Sequence, residues 1–209
     1  MTTWLLLRAA GVGAYLVLFL SVVWGLVGTT SVMGKRVSKV TATNIHHYLG
    51  IAMLPLLAVH LGGLLLDKFR PFRVLDLLSP LHSAFRPVPV SFGIAAMYLS
   101  VVVLLTTWAK KRLGTTWWRR FHLASVPAFT LAMVHGVWTG TDSVQPWLWW
   151  TYMVTGSMVL FLVLVRGLTA RDRPKRRVPV AETRPEVPKI RRSVEPEPEP
   201  ETEKIHVTV

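Results

Sequence analysis

Five long apolar stretches, separated by short polar segments rich in lysine and arginine, set the pattern of this chain. They run from about Trp4 to Val27, from His46 or His47 to about Leu66, from about Ser91 to Trp108, from about Phe121 to Val137, and from Trp147 to near Val165. All fall within the range of about 17 to 25 residues that crosses a bilayer as a helix. A spanning segment must satisfy its own backbone hydrogen bonds in lipid, so the pattern predicts an all-α, five-helix membrane bundle. Polar segments after the first and third stretches carry Lys35, Arg36 and Lys39, then Lys110, Lys111, Arg112, Arg119 and Arg120, and the chain after the fifth is basic too. An excess of lysine and arginine marks cytoplasmic loops, which puts the N-terminus outside and the C-terminus in the cytoplasm and makes the second and fourth spans parallel. Trp117, Trp118, Trp147, Trp149 and Trp150 sit where interfacial aromatic belts are expected.

The longest connection, Asp67 to Pro89, mixes Lys68, Arg70, Arg73 and Arg86 with apolar residues and four prolines. It is expected to lie on the membrane surface or fold over the bundle, as a functional loop or a plain interfacial connector. The third span has no histidine and reads as filler that closes the bundle. The first lacks a basic leader and a cleavage site, so it reads as a true span; Arg8 inside it must snorkel or find an anionic partner.

Composition agrees with a multi-pass protein of the cell membrane: 51% of the 209 residues are hydrophobic and 17% charged. The net charge of +13 lies in loops and tail, so it is read as a topology signal and nucleic acid is excluded as a partner. The absence of cysteine removes thiolate ligands, Fe–S clusters and the C-x-x-C-H haem attachment. Residues 1–168 therefore read as the membrane domain. From Thr169 the chain holds seven of its fourteen prolines, first among basic residues and then in a Glu-Pro run, and 169–209 is expected to be a disordered cytoplasmic tail, a docking segment or a plain stop-transfer anchor.

The candidate chemistry lies in four histidines within the spans, since an ionisable residue in a membrane helix is a functional-site hypothesis. His46 and His60 are 14 residues apart, about 21 Å along a helix and offset by roughly 40°. His122 and His135 are 13 apart, about the same rise, with an offset near 140° that a distortion at Pro127 would have to reduce. The economical reading is two bis-histidine sites at two depths, His46 with His122 and His60 with His135, an axial set suited to two b-type haems. Gly50, Gly62, Gly63 and Gly136 nearby would let a flat macrocycle approach, or serve ordinary helix packing. Zinc fits less well, because a closed site wants four protein ligands and the spans offer no cysteine or acidic residue beside the histidines. Histidines that hydrogen-bond between helices are the structural alternative. Spacing leaves His47 open beside His46; His82 and His206 read as surface residues.

These residues resemble the ferric reductase-like transmembrane domain family, which includes NADPH oxidases, ferric reductases and the haem subunit of a bacterial methionine sulfoxide reductase system. The resemblance covers about residues 4 to 168. It rests on an H-x-x-x-G motif at His46 and Gly50 followed by His60, on W-R-R-x-H at Trp118, Arg119, Arg120 and His122 followed by His135 and Gly136, and on the RAAGVGAY, PLHSAFRPVPVSFG and HGVWTGTDS segments. It implies His46 rather than His47 as ligand, two haem b groups with the four histidines as iron ligands, and a propionate contact for Arg8. It departs from the oxidases in having no FAD or NADPH domain in the chain and no G-x-G-x-x-G motif. The resemblance thus implies an electron-transfer subunit, an oxidoreductase component, that moves electrons from a cytoplasmic flavoprotein or quinol to an outside acceptor, a ferric chelate or a partner reductase. A non-redox protein using its histidines for metal binding or proton movement is the alternative, and retention of a single haem is a third.

Overall fold

The computed structural model describes residues 2–28, 38–68, 72–140 and 145–171. Lys35, Arg36, Arg70, Pro71, His206 and the tail beyond Arg171 lie outside them. The described residues form seven helices and no strand: α1 (Thr2–Val27), α2 (Lys39–Leu66), α3 (Val74–Leu78), α4 (Pro87–Trp108), α5 (Lys110–His122), α6 (Ser125–Thr139) and α7 (Pro146–Arg171). Five segments are long and apolar enough to cross a membrane, with α5 and α6 together making the fourth. The protein is an all-helical, multi-pass membrane bundle.

Several boundaries differ from the pattern of apolar residues, each for a local reason. Helix α2 begins seven residues before His46, because Ser38 caps it by accepting a hydrogen bond from the Thr41 amide (3.0 Å). The Trp24 indole then donates to the Ala42 carbonyl (2.8 Å), which ties this polar first turn to α1. The segment expected as a short basic loop after Trp108 is helical α5, interrupted at Gly114 (φ 75°, ψ 164°), a conformation open in practice only to glycine. Pro87 starts α4 four residues early, since proline suits the first helical position. Helix α7 runs on to Arg171, past the residue where the tail was expected to begin.

The helices pair as two antiparallel hairpins, α1 with α2 and α4 with α5 and α6, while α7 packs on α1 and α6. Between α1, α6 and α7 lies a core of Tyr15, Val22, Leu26, Phe129, Leu148, Tyr152 and Val159. Tyr15 stacks on Phe129 with ring centroids 5.5 Å apart. Its hydroxyl donates to Thr155 Oγ1 (2.5 Å), whose own proton goes to the Thr151 carbonyl (2.6 Å), so this buried polar pair is satisfied. Most of α2 is exposed along Ile51, Leu54, Val59 and Leu65, as suits a face turned to lipid.

The 72–86 connection folds back on the α4 and α6 end of the bundle. The Leu81 amide donates to Ser91 Oγ (2.7 Å), the Tyr98 hydroxyl to the Leu78 carbonyl (2.6 Å), and the Arg86 guanidinium to the Trp138 carbonyl. The Arg73 amide donates to Asp76 Oδ2 (2.8 Å), which caps α3. His82 Nδ1 donates to Asp76 Oδ1 (2.7 Å), so His82 is an exposed side chain paired with a carboxylate. These bonds hold the Asp76 carboxyl below its ordinary range, the Arg73 amide chiefly and the His82 imidazole next.

Candidate functional site: two histidine levels

Each hairpin presents two histidines from its second helix, backed by small residues on its first. A Cβ built on Gly11 would lie 2.8 Å from His60 Nδ1, and one on Gly93 would lie 2.7 Å from His135 Nδ1. One on Gly25 would lie 3.2 Å from His46 Cε1. Gly11 and Gly25 are 14 residues apart, the separation of His46 and His60, so antiparallel packing seats both imidazoles on glycines of α1. The third span is therefore more than filler: α4 supplies the seat for His135 at Gly93 and, as follows, the partner of His122.

Hydrogen bonds on the rear nitrogen of each ring decide what the front nitrogen presents. A backbone carbonyl only accepts, so His60 Nδ1–H donates to Leu7 O and His135 Nδ1–H to Pro89 O, both at 2.8 Å. Leu7 and Pro89 each stand four residues before the seating glycine, so the two hairpins repeat one arrangement. His135 Nδ1 also lies 3.2 Å from Thr139 Oγ1. At His122 the rear partner is a hydroxyl, that of Thr107. Thr107 spends its single hydroxyl proton on the Val103 carbonyl (2.7 Å) and accepts from the Trp118 indole (3.3 Å). It is left able only to accept from His122 Nδ1–H, at 3.4 Å. His60, His122 and His135 thus carry their protons at Nδ1 and present a bare Nε2. His46 Nδ1 faces Ser21 Oγ at 3.3 Å, an oxygen that accepts or donates.

His46 and His122 meet across the two hairpins, Nε2 to Nε2 at 3.5 Å, with ring centroids 5.7 Å apart and planes at 74°. His60 and His135 are held at the other end of the hairpins, His60 on Leu7 and Gly11 of α1 and His135 on Pro89 and Gly93 of α4. All four are half-buried. His47 is exposed and its ring lies beside Tyr48 (6.2 Å), away from the pair. Among the described residues, no three His, Cys, Asp or Glu side chains come together, so neither level offers a closed tetrahedral metal site.

The phase problem of the fourth span has a structural answer. His122 ends α5 and Ser125 begins α6, with Leu123 and Ala124 in a tight turn between them. Pro127 has no amide to offer the Leu123 carbonyl, and the Val126 amide takes it instead (3.2 Å), while Ala124 donates to Phe121 O (3.0 Å). Such i to i+3 bonds wind the chain by about 120° per residue instead of about 100° and remove part of the offset.

Surrounding residues divide the two levels. At the first, Trp118 lies over His122 with centroids 5.0 Å apart, and Lys110 Nζ sits 4.0 Å from the centroid of the Trp118 ring. Trp118 is thus part of the site, whereas Trp117 is exposed as an interfacial residue would be. At the second, Arg8 follows Leu7, and its guanidinium lies 4.1 Å from the centroid of the Trp4 ring. Of the glycines singled out from sequence, Gly63 packs on Leu7 and Gly136 on Tyr152, as in ordinary helix contacts, and Gly50 and Gly62 face open space. Lys68, Arg73 and Arg86 are exposed at the connection between α2 and α4.

The donor set at this level, two imidazole nitrogens 3.5 Å apart from facing helices, would suit a metal ion or haem iron held by His46 and His122, with the two rings moving slightly apart to admit it. Rear hydrogen bonds on imidazole ligands are the usual support of such sites. Comparison of the chain with protein-family models, with curated proteins and with solved structures found no match.

Proposed function

We propose that this chain is a di-haem b electron-transfer subunit of the ferric reductase-like kind, passing electrons across a membrane from a cytoplasmic flavoprotein or quinol to an outside ferric chelate or partner reductase. The observation that carries the reading is the pair of Nε2 atoms facing one another at 3.5 Å with His122 committed to a bare lone pair. With Ser21 accepting from His46 Nδ1–H, two lone pairs point together inside a membrane and repel unless something electron-poor lies between them. Haem iron is such a group, and when bound it supplies one-electron chemistry at two depths.

The protein's share is orientation. Leu7 O, Pro89 O and Thr107 Oγ1 hold the rear protons of His60, His135 and His122, which fixes each tautomer and makes the front nitrogen a better ligand. His46 and His122 would hold the haem on the cytoplasmic side, beside the basic α5, and His60 and His135 the outer one, with Arg8 toward a propionate. Exposed Lys68, Arg73 and Arg86 would meet an anionic acceptor at the outer end.

One observation favours a second reading. If Ser21 donates to His46 Nδ1, His46 carries its proton at Nε2 and the 3.5 Å contact becomes a hydrogen bond to His122, a proton-sharing pair with no redox role. Purified protein from haem-replete cells separates the two. Pyridine haemochrome analysis is expected to give two b haems per chain, falling to one in His46→Ala or His122→Ala and to one in His60→Ala or His135→Ala. A colourless wild-type preparation overturns the proposal in favour of the proton pair, and loss of both haems from substitution in a single pair overturns the assignment of levels.

A further inference from the structure

The two histidine levels are held by different chemistry. At the His60 and His135 level both rear protons go to backbone carbonyls at 2.8 Å, strong acceptors that draw the imidazole toward its anionic form. At the His46 and His122 level the partners are hydroxyls at 3.3 and 3.4 Å, and Thr107 already shares its oxygen with the Trp118 indole. The second difference is charge: Lys110, Arg119 and Arg120 stand on the helix that carries His122, against Arg8 beside the residue that holds His60. Lys110 Nζ lies 4.0 Å from the centroid of the Trp118 ring, which itself lies over His122 at 5.0 Å, so an ammonium stands behind that imidazole. Arg119 and Arg120 lie on the same helix, and Arg120 sits over Trp117 at 4.9 Å. No acidic side chain belongs to α5.

Resting on the haem reading above, we infer that Thr107, Trp118 and Lys110 form a tuning device that sets the redox centre held by His46 and His122 at a higher midpoint potential than the one held by His60 and His135. Two terms act in the same direction. A weakly bonded imidazole gives less electron density to iron than one pulled by a carbonyl, which disfavours the ferric state less at the carbonyl-held level and more at the hydroxyl-held one. A nearby cation favours whichever state carries less positive charge, and the ferrous state carries one less than the ferric. Thr107 and Trp118 are positioning residues here: they orient His122 and set Lys110 over it, and touch no substrate.

The test is an optical redox titration of the purified holoprotein with dithionite and mediators, resolving the two centres. Wild-type protein is expected to titrate as two unequal one-electron steps. Thr107→Val removes the acceptor of the His122 proton and is expected to raise the potential of the higher centre alone, with Thr107→Ser restoring it. Lys110→Gln removes a charge at an exposed position and is expected to lower the potential of that same centre, leaving the other unmoved. Opposite shifts confined to one centre are a result that general loosening of the fold does not produce. If Thr107→Val fails to load haem, Lys110→Gln and Thr107→Ser carry the test by themselves. Equal potentials in the wild type, a Lys110→Gln shift shared by both centres, or a shift confined to the lower centre overturns the inference while leaving the two-haem reading standing; haem-free wild-type protein removes that reading itself.

Discussion

At the scale of single residues, the site depends on atoms that are absent. His60 and His135 reach carbonyl oxygens because Gly11 and Gly93 have no side chain where the rings lie. Gly11→Ala places a methyl 2.8 Å from an imidazole nitrogen, and the ring has to leave its acceptor to make room. We expect this substitution and Gly93→Ala each to lose the haem proposed for the His60 and His135 level and to cost about 1–3 kcal/mol in stability from overpacking. Haem count and thermal unfolding measure the two effects, and a fully loaded Gly11→Ala protein of unchanged stability contradicts this account of the seat. The histidines themselves were legible in the sequence, as ionisable groups in apolar runs at two matched separations. The seats were not. Gly11 and Gly25 carried a signal, their 14-residue spacing, but it acquires meaning only once α1 is known to lie antiparallel against α2. His47 stayed open by spacing for the same kind of reason: it is one residue, or about 100° of helix, from His46, and only the position of the neighbouring hairpin says which of the two faces inward.

At the scale of elements, local chemistry places breaks that hydropathy passes over. The fourth span reads as one apolar run, yet it is two helices joined at Leu123 and Ala124, because Pro127 leaves the Leu123 carbonyl to a nearer donor. The polar segments around Lys39 and Lys110 are helical for converse reasons, a serine cap in one case and amphipathic surface helix in the other. The α3 connection offers a check by pH. Asp76 is held below the ordinary carboxylate range by the Arg73 amide first and His82 second. Between that lowered value and the ordinary one, the folded connection binds fewer protons than the unfolded one. Its contribution to local stability is therefore complete above the ordinary carboxylate pKa and lost as pH falls through the lowered value. Hydrogen-exchange protection of residues 72–82 is expected to fall over that acidic interval in the wild type and to stay flat with pH in Asp76→Asn. Superimposable profiles from the two proteins would show that the carboxylate is not what caps α3.

At the scale of the whole molecule, two hairpins of similar design bring one histidine each to two levels, and α7 completes the core against α1 and α6. Orientation in the bilayer is a matter of charge, and the absence of cysteine makes it measurable, since any introduced thiol is the only one in the chain. Ser79→Cys, in the connection before α4, is expected to react with a membrane-impermeant maleimide added to whole cells, and Lys111→Cys only after the membrane is opened. The reverse pattern overturns the proposed topology, and with it the assignment of inner and outer levels. Sequence by itself determined the number of spans, their all-helical character and the two depths at which histidines recur, because hydropathy and residue count along a helix are local quantities that lipid enforces directly. It did not determine which ring faces which, that the third span backs the site, that Trp118 belongs to it, or which atom holds each rear proton. Those are hydrogen bonds and contacts between residues as much as 76 apart in the chain. Their existence depends on helix register, crossing and the small side chains that permit close approach, and tertiary packing alone decides these.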